Sequence, residues 1–313
     1  MTDAGPLSWC LFFFLVVLLL LADLRTGRHS ASNARHAVGW SVVWIGLAFA
    51  FGLYVWALFG SEAASAYYAA WLLEKSLSLD NLFVFALVFG ELAIPKRWQH
   101  KLLFLGVLGA LAGRAIMLLI GIALIQRLSF IVYVFAALLL LAAARILFGQ
   151  KTEERVIKDS CAVCSTWIAR FVPVTGTFSG GRFWVRESGV LKATPLLVGL
   201  VVIETADLIF ALDSIPAVLA VSMDPFIVYT SNAFAMLGLR SLYFVLAGVV
   251  DKLAYLRLGL SLTLVFVAAK LLLANIWHIG PFASLLIIAA IMGTAIVASL
   301  VRGQMHPSRA KRV

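Results

Sequence analysis

With 63% apolar and 13% charged side chains over 313 residues, and a mean hydropathy of +1.03, this chain is too oily and too poor in charge for a soluble domain. The net charge of +10 is no sign of nucleic-acid binding, because the bases collect in alternate loops between apolar stretches, as they do on the cytoplasmic side of membrane proteins. The composition predicts an all-α polytopic membrane protein whose partner is the lipid bilayer, with no nucleic acid and no catalytic residues.

A bilayer core about 30 Å thick needs roughly 20 apolar residues per helix, and about nine such segments are expected. They begin near Leu7, Val38, Tyr67, Leu102, Leu128, Thr194, Phe226, Leu258 and Phe282. The first reads as a retained helix, since Asp3 and no base precede it and no small-x-small cleavage site follows. Bases follow the first helix (Arg25, Arg28, Arg35), the third (Lys96, Arg97, Lys101), the fifth (Lys151 to Lys192), the seventh (Lys252, Arg257) and the ninth (Arg302 to Arg312). Among the charges of the intervening loops only Arg127 breaks the alternation, so the N-terminus is expected outside and the C-terminus in the cytosol.

Five carboxylates lie inside these apolar stretches: Glu74 and Asp80 in the third, and Glu204, Asp207 and Asp213 in the sixth. An ionised group in hydrocarbon is costly, so such residues are expected to face a water path, an ion or an opposite charge. Glu74-Lys75-Ser76-Leu77-Ser78-Leu79-Asp80-Asn81 lies over Asp207-Leu208-Ile209-Phe210-Ala211-Leu212-Asp213-Ser214, acid to acid. The likeness continues from Gly113-Arg114 to Gly238-Leu239-Arg240, and from Ala143-Ala144-Arg145 to Ala268-Ala269-Lys270. Three helices therefore repeat once, and an odd number per repeat turns the second copy upside down, as in transporters with a midplane site at the repeat interface. The expected organisation is two N-terminal peripheral helices (1–66), a first repeat (67–149), a cytoplasmic loop (150–193), an inverted second repeat (194–277) and a C-terminal helix with a basic tail (278–313).

Glu74, Ser78 and Asn81 share one helical stripe, whereas Glu74 and Asp80 diverge by about 120°. In the sixth helix Pro216 removes a donor from the Leu212 carbonyl, and a break beside Asp213 is expected to free oxygens for a cation. By depth along each helix, Glu74 should stand level with Asp213 and Asp80 with Asp207, making two ion stations. The ligand set is then Asp80, Asp213, Glu74, Asp207, Asn81, Glu204 and Ser214, with Arg114, Arg240 and Lys75 as ion-pair or gating groups. Hard oxygen donors suit a divalent cation such as manganese or calcium and not zinc or copper, so the substrate is a transported metal ion with no tightly bound cofactor. Converging acids would hold protons when empty and yield them to the ion, coupling transport to protons. Gly106, Gly109 and Gly113 read as close-packing residues. Cys161-x-x-Cys164 lacks the further ligands of a zinc site and reads as an incidental surface pair, and 172–181 as a flexible or turn-rich linker.

The two acidic motifs, Ala193-Thr194-Pro195-Leu196, and Thr230-Ser231-Asn232-Ala233-Phe234-Ala235-Met236-Leu237-Gly238-Leu239-Arg240 resemble the TerC/Alx family of bacterial integral membrane proteins, from about Leu21 onward. That resemblance implies a role in metal homeostasis, chiefly manganese export, in a family named after tellurium resistance. The alternative is a membrane metal donor or accessory protein, serving secreted metalloenzymes or tellurium resistance without being a carrier. An intramembrane aspartyl protease is disfavoured, because Gly-x-Gly-Asp is absent around Asp80 and Asp213.

Overall fold

The computed structural model describes residues 4–30, 34–128, 130–148, 150–187, 189–246, 255–273, 276 and 279–305. Within them the helices are α1 (Pro6–Ser30), α2 (Ala34–Glu91), α3 (Lys96–Arg127), α4 (Ile131–Phe148), α5 (Gln150–Ala169), α6 (Pro195–Val221), α7 (Pro225–Met236), α8 (Leu239–Leu246), α9 (Leu256–Leu273) and α10 (Pro281–Met305). The chain is an all-α polytopic membrane protein.

The 58 residues of α2 are two arms folded back on each other at Gly60, whose φ of 84° and ψ of 179° are open only to glycine. The Tyr67 hydroxyl donates to the Ala48 carbonyl at 3.1 Å and that of Tyr68 to the Phe49 carbonyl at 2.8 Å. Residues 19 positions apart on a straight helix would stand about 28 Å apart, so these bonds require the reversal. Among the described residues seven helical segments are long and apolar enough to cross a bilayer, not the nine expected. The spans expected from Val38 and Tyr67 fall in the one segment His36–Ser78, which the reversal at Gly60 divides into two arms, and the span expected from Phe226 is, among the described residues, the two short helices α7 and α8.

That second departure moves the expected helix break. α6 runs unbroken through Pro216, because the proline lies near its end, amid a tightly buried stretch, and one lost hydrogen bond does not unwind a helix packed on its neighbours. The chain breaks instead after α7, where Leu237 leaves the helical region with a ψ of 134° and Gly238 takes a φ of +81°. Trp44 of α2 fills the space beside that glycine, where a Cβ would come within 2.5 Å of its Cγ.

Packing is reciprocal about the centre. α3 lies on α6 as α2 lies on α7, α2 also meets α6, and α4 meets α9, where the Ser261 hydroxyl donates to the Ala143 carbonyl at 2.9 Å. Exchanging the helix trio α2–α3–α4 with the trio of α6, α7/α8 and α9 carries this set of contacts into itself. The α3–α6 seam is close because α3 presents glycines: a Cβ on Gly106 would lie 2.9 Å from Ile203, and one on Gly121 2.9 Å from Leu219.

Residues 150–193 carry their own structure. α5 is followed by a 3-10 turn at Ser179–Gly181 and a hairpin of β1 (Trp184–Glu187) and β2 (Val190–Ala193), antiparallel with Trp184 opposite Ala193. The turns expected in 172–181 are present, but docked: the Trp98 ring covers Gly181, and the Lys101 ammonium donates to the Gly181 carbonyl at 2.8 Å while lying 4.6 Å from the Phe183 ring centre.

Candidate functional site

Arg114, near the middle of α3, is 2% exposed, and a guanidinium that cannot reach water must be paired where it stands. Its Nη1 meets the Glu74 carboxylate of α2 and donates to the Ser214 hydroxyl of α6 at 3.1 Å. Nε and Nη2 both donate to the Asp207 carboxylate of α6, each at 3.3 Å. The Asn81 amide of α2 adds a further donor to Asp207 at 3.2 Å. Two helices, α2 and α6, thus hand oxygen-bearing side chains to one buried point, and the third, α3, brings the guanidinium they surround.

Its charge does not close. Two carboxylates against one guanidinium leave a formal charge of −1, with Glu74 at 0% and Asp207 at 3% exposure. The other nearby base does not compensate: the Lys75 ammonium turns to α7 and donates to the Ala235 carbonyl at 2.9 Å and to that of Leu237 at 3.5 Å, closing the helix end at the break. A buried cluster short of one positive charge attracts a proton or a cation. Ser78, on the stripe of Glu74 and Asn81, and Asn232 of α7 are also buried, with no hydrogen-bond partner for their side-chain polar atoms among the described residues. Unsatisfied groups of this kind are ordinarily met by water or an ion.

The arrangement corrects the expected levels. Glu74 does not stand with Asp213; it shares one guanidinium with Asp207. Both acids lie near the midpoints of their helices, the 61–91 arm and Pro195–Val221, so the crossing brings the first acid of each motif together. The third span does not begin at Tyr67: its helical arm begins right after Gly60, which puts Glu74 farther along the helix than expected. Asp213 is half-buried and within electrostatic reach of Arg145, and Glu204 lays its carboxylate on the bare face of Gly109 within reach of Asp207; neither touches Arg114. Asp80 has a helical backbone, but its side chain lies outside the described residues. Among those described, no three His, Cys, Asp or Glu converge as a metal cage. Glu74, Asp207, Asn81 and Ser214 come together around an arginine.

Arg240, the repeat counterpart of Arg114, is elsewhere. It is 5% exposed and pairs through Nη2 with both the carboxylate of Asp23 in α1, at 2.7 Å, and the Asp23 carbonyl. Asp23 was not singled out from the sequence; its signal is a lone acid near the end of an apolar helix. Cys161 also departs from expectation, being 4% exposed and packed in the core instead of lying at the surface. Burial above all, then the nearby Glu91 carboxylate and Cys164, push its thiol up to about 11.

Compared with known proteins, residues 59–306 match the sequence model described as the integral membrane protein TerC family. The chain belongs to the TerC family. Its match spans both acidic motifs and both arginines, and leaves Asp23 outside. Among TerC relatives the chain is 43% identical to an uncharacterized membrane protein of Myxococcus xanthus over 306 residues, covering 97% of this chain and 95% of the relative. It is 39% identical to proteins provisionally described as membrane-bound redox modulator Alx in Photorhabdus laumondii and Escherichia coli K12, covering 94% of each chain in the first case and 93% in the second. No solved structure matches.

Proposed function

We propose that this TerC protein is a divalent-cation transporter of a bacterial cytoplasmic membrane, exporting manganese, with its N-terminus outside and C-terminus in the cytosol. The observation that carries the reading is the Glu74–Asp207 pair, formally one positive charge short and held by a guanidinium inside a membrane protein. A carrier needs a site that binds its ion and then gives it up, and Arg114 supplies the competitor: a tethered cation that holds both carboxylates when no ion is present. The donors at hand, carboxylates, an amide and a hydroxyl, are all oxygen-bearing and suit manganese or calcium better than zinc or copper. Protons are the natural counter-ion, since the same acids would take them in the ion's place.

A redox role, named for the Alx relatives, is a second reading. Cys161 and Cys164 are the residues of this chain that could carry it. Cys161 is buried and its thiol stands at about 11, which keeps it protonated and a poor nucleophile near neutral pH, so the transport reading is favoured.

Purified protein in liposomes, loaded with manganese and read with an internal metal-sensitive dye, tests the proposal. Manganese should move at a rate that an imposed pH gradient alters with voltage clamped, and Asp207→Asn should lower that rate at least tenfold while leaving the amount reconstituted unchanged. Parent-like transport by Asp207→Asn, or no transport by the parent chain, would sink it.

A further inference from the structure

The inverted repeat maps the site's residues in an unequal way. Glu74 and Asp207 are each other's counterparts, so exchanging the repeats returns the same carboxylate pair. Arg114 and Arg240 are also counterparts, yet only Arg114 lies between those carboxylates, while Arg240 is held by Asp23. The helices that carry them differ in the same sense. α3 passes straight through Ala112 and Gly113, whereas the equivalent point, Leu237-Gly238, is where α7 and α8 part. One repeat has its helix straight and its arginine in the site; the other has its helix broken and its arginine out.

Two halves that share a sequence pattern but differ in conformation define a second state of the whole, reached when each adopts the other's shape. We infer that Arg240 is a second gating arginine of the Glu74–Asp207 site, which leaves Asp23 and replaces Arg114 as α8 straightens onto α7 and α3 breaks at Ala112–Gly113. The inference rests on the transporter reading above but not on the identity of the ion. It gives each residue a reason. Gly113 supplies a position where α3 can open, Gly238 one where α7/α8 is already open, and Asp23 a counter-charge that keeps the waiting arginine paired. Because the carboxylate pair keeps one guanidinium in either state, the cation has to compete with an arginine from both sides, and both are expelled only during the exchange between states.

The test uses the full chain with Cys10, Cys161 and Cys164 replaced by Ser, reconstituted in nanodiscs without added divalent ion. Nitroxide labels sit at Leu21, exposed on α1, and at Val245 on α8, and pulsed electron paramagnetic resonance reads the distance between them. Asp23→Asn removes the counter-charge of the waiting arginine, and Arg114→Gln vacates the site, so both should raise the same second distance population several-fold. Arg114→Lys, which keeps a cation in the site, should retain the parent distribution. Gly113→Ala should suppress the second population in the Arg114→Gln background, because it stiffens α3 at the point that must open, far from either label. Parent-like distances in both Asp23→Asn and Arg114→Gln would overturn the inference. So would a new distance in Asp23→Asn alone, which would mean only a loosened α1, or a second population indifferent to Gly113→Ala. If the labels respond as expected while liposomes carry no manganese, the ion is wrong and the exchange of arginines stands; the reverse pair of results removes the exchange and leaves the transporter.

Discussion

Replacing Arg114 with methionine keeps the volume of the side chain and removes only its charge and donors. It strands Glu74 and Asp207, at 0% and 3% exposure, without the guanidinium that holds both. Breaking a buried ion pair from one side costs about 3–5 kcal/mol. At about 1.4 kcal/mol per tenfold, that is a roughly hundred- to several-thousand-fold rise in the unfolding equilibrium. The compensated variant Arg114→Met/Glu74→Gln/Asp207→Asn leaves no charge in the cluster and almost the same volume, and is expected to regain most of that loss, since the penalty comes from carboxylates left buried without their guanidinium. The assay is reversible unfolding in mixed micelles by increasing dodecyl sulfate, followed by helical circular dichroism and analysed as a mutant cycle. A parent-like Arg114→Met, or a triple variant as unstable as the single one, would refute the claim that these three charges form one mutually dependent cluster.

Gly238→Ala should lower thermal stability by about 2 kcal/mol or more, because alanine pays about 1–2 kcal/mol for a left-handed backbone and its Cβ would also meet Trp44; an unchanged melting temperature would count against that break. Alkylation of Cys161 by iodoacetamide should quicken about tenfold per pH unit from neutrality upward and level off only near 11, since only the thiolate reacts and its fraction grows until the pH passes the raised pKa. A plateau near 8.5, the value of an unperturbed thiol, would show that the residue is not buried.

The apolar runs, the paired acidic motifs and the interior arginine are legible as sequence, because hydrophobic length and the cost of charge in hydrocarbon do not depend on knowing the fold. Gly106, Gly109 and Gly113 of α3 read correctly as packing residues, since each lies against an α6 side chain, Ile203, Glu204 and Leu208 in turn. What was not legible depends on packing between segments distant in the chain. Pro216 is the obvious helix breaker, yet its helix is held straight by its neighbours while Gly238, unremarkable by composition, carries the break. Depth counted from an apolar boundary misplaced Glu74, because helices here extend beyond the apolar stretch that announces them. The pairing of Asp23 with Arg240 joins residues 217 positions apart, and no local pattern states it.

Gly60 bears on a different matter, the parity of the chain. At 1.5 Å per residue the 58 residues of α2 laid straight would reach about 87 Å, close to three bilayer cores, and no membrane could hold them as one crossing. A single residue without a side chain turns that rod into a there-and-back pair. Whichever face the first arm enters from, the second returns to it, and the travel direction of every helix downstream is set by that reversal. The up-or-down bookkeeping of α3 through α10 therefore hangs on one backbone conformation, at a position where any side chain at all would resist it.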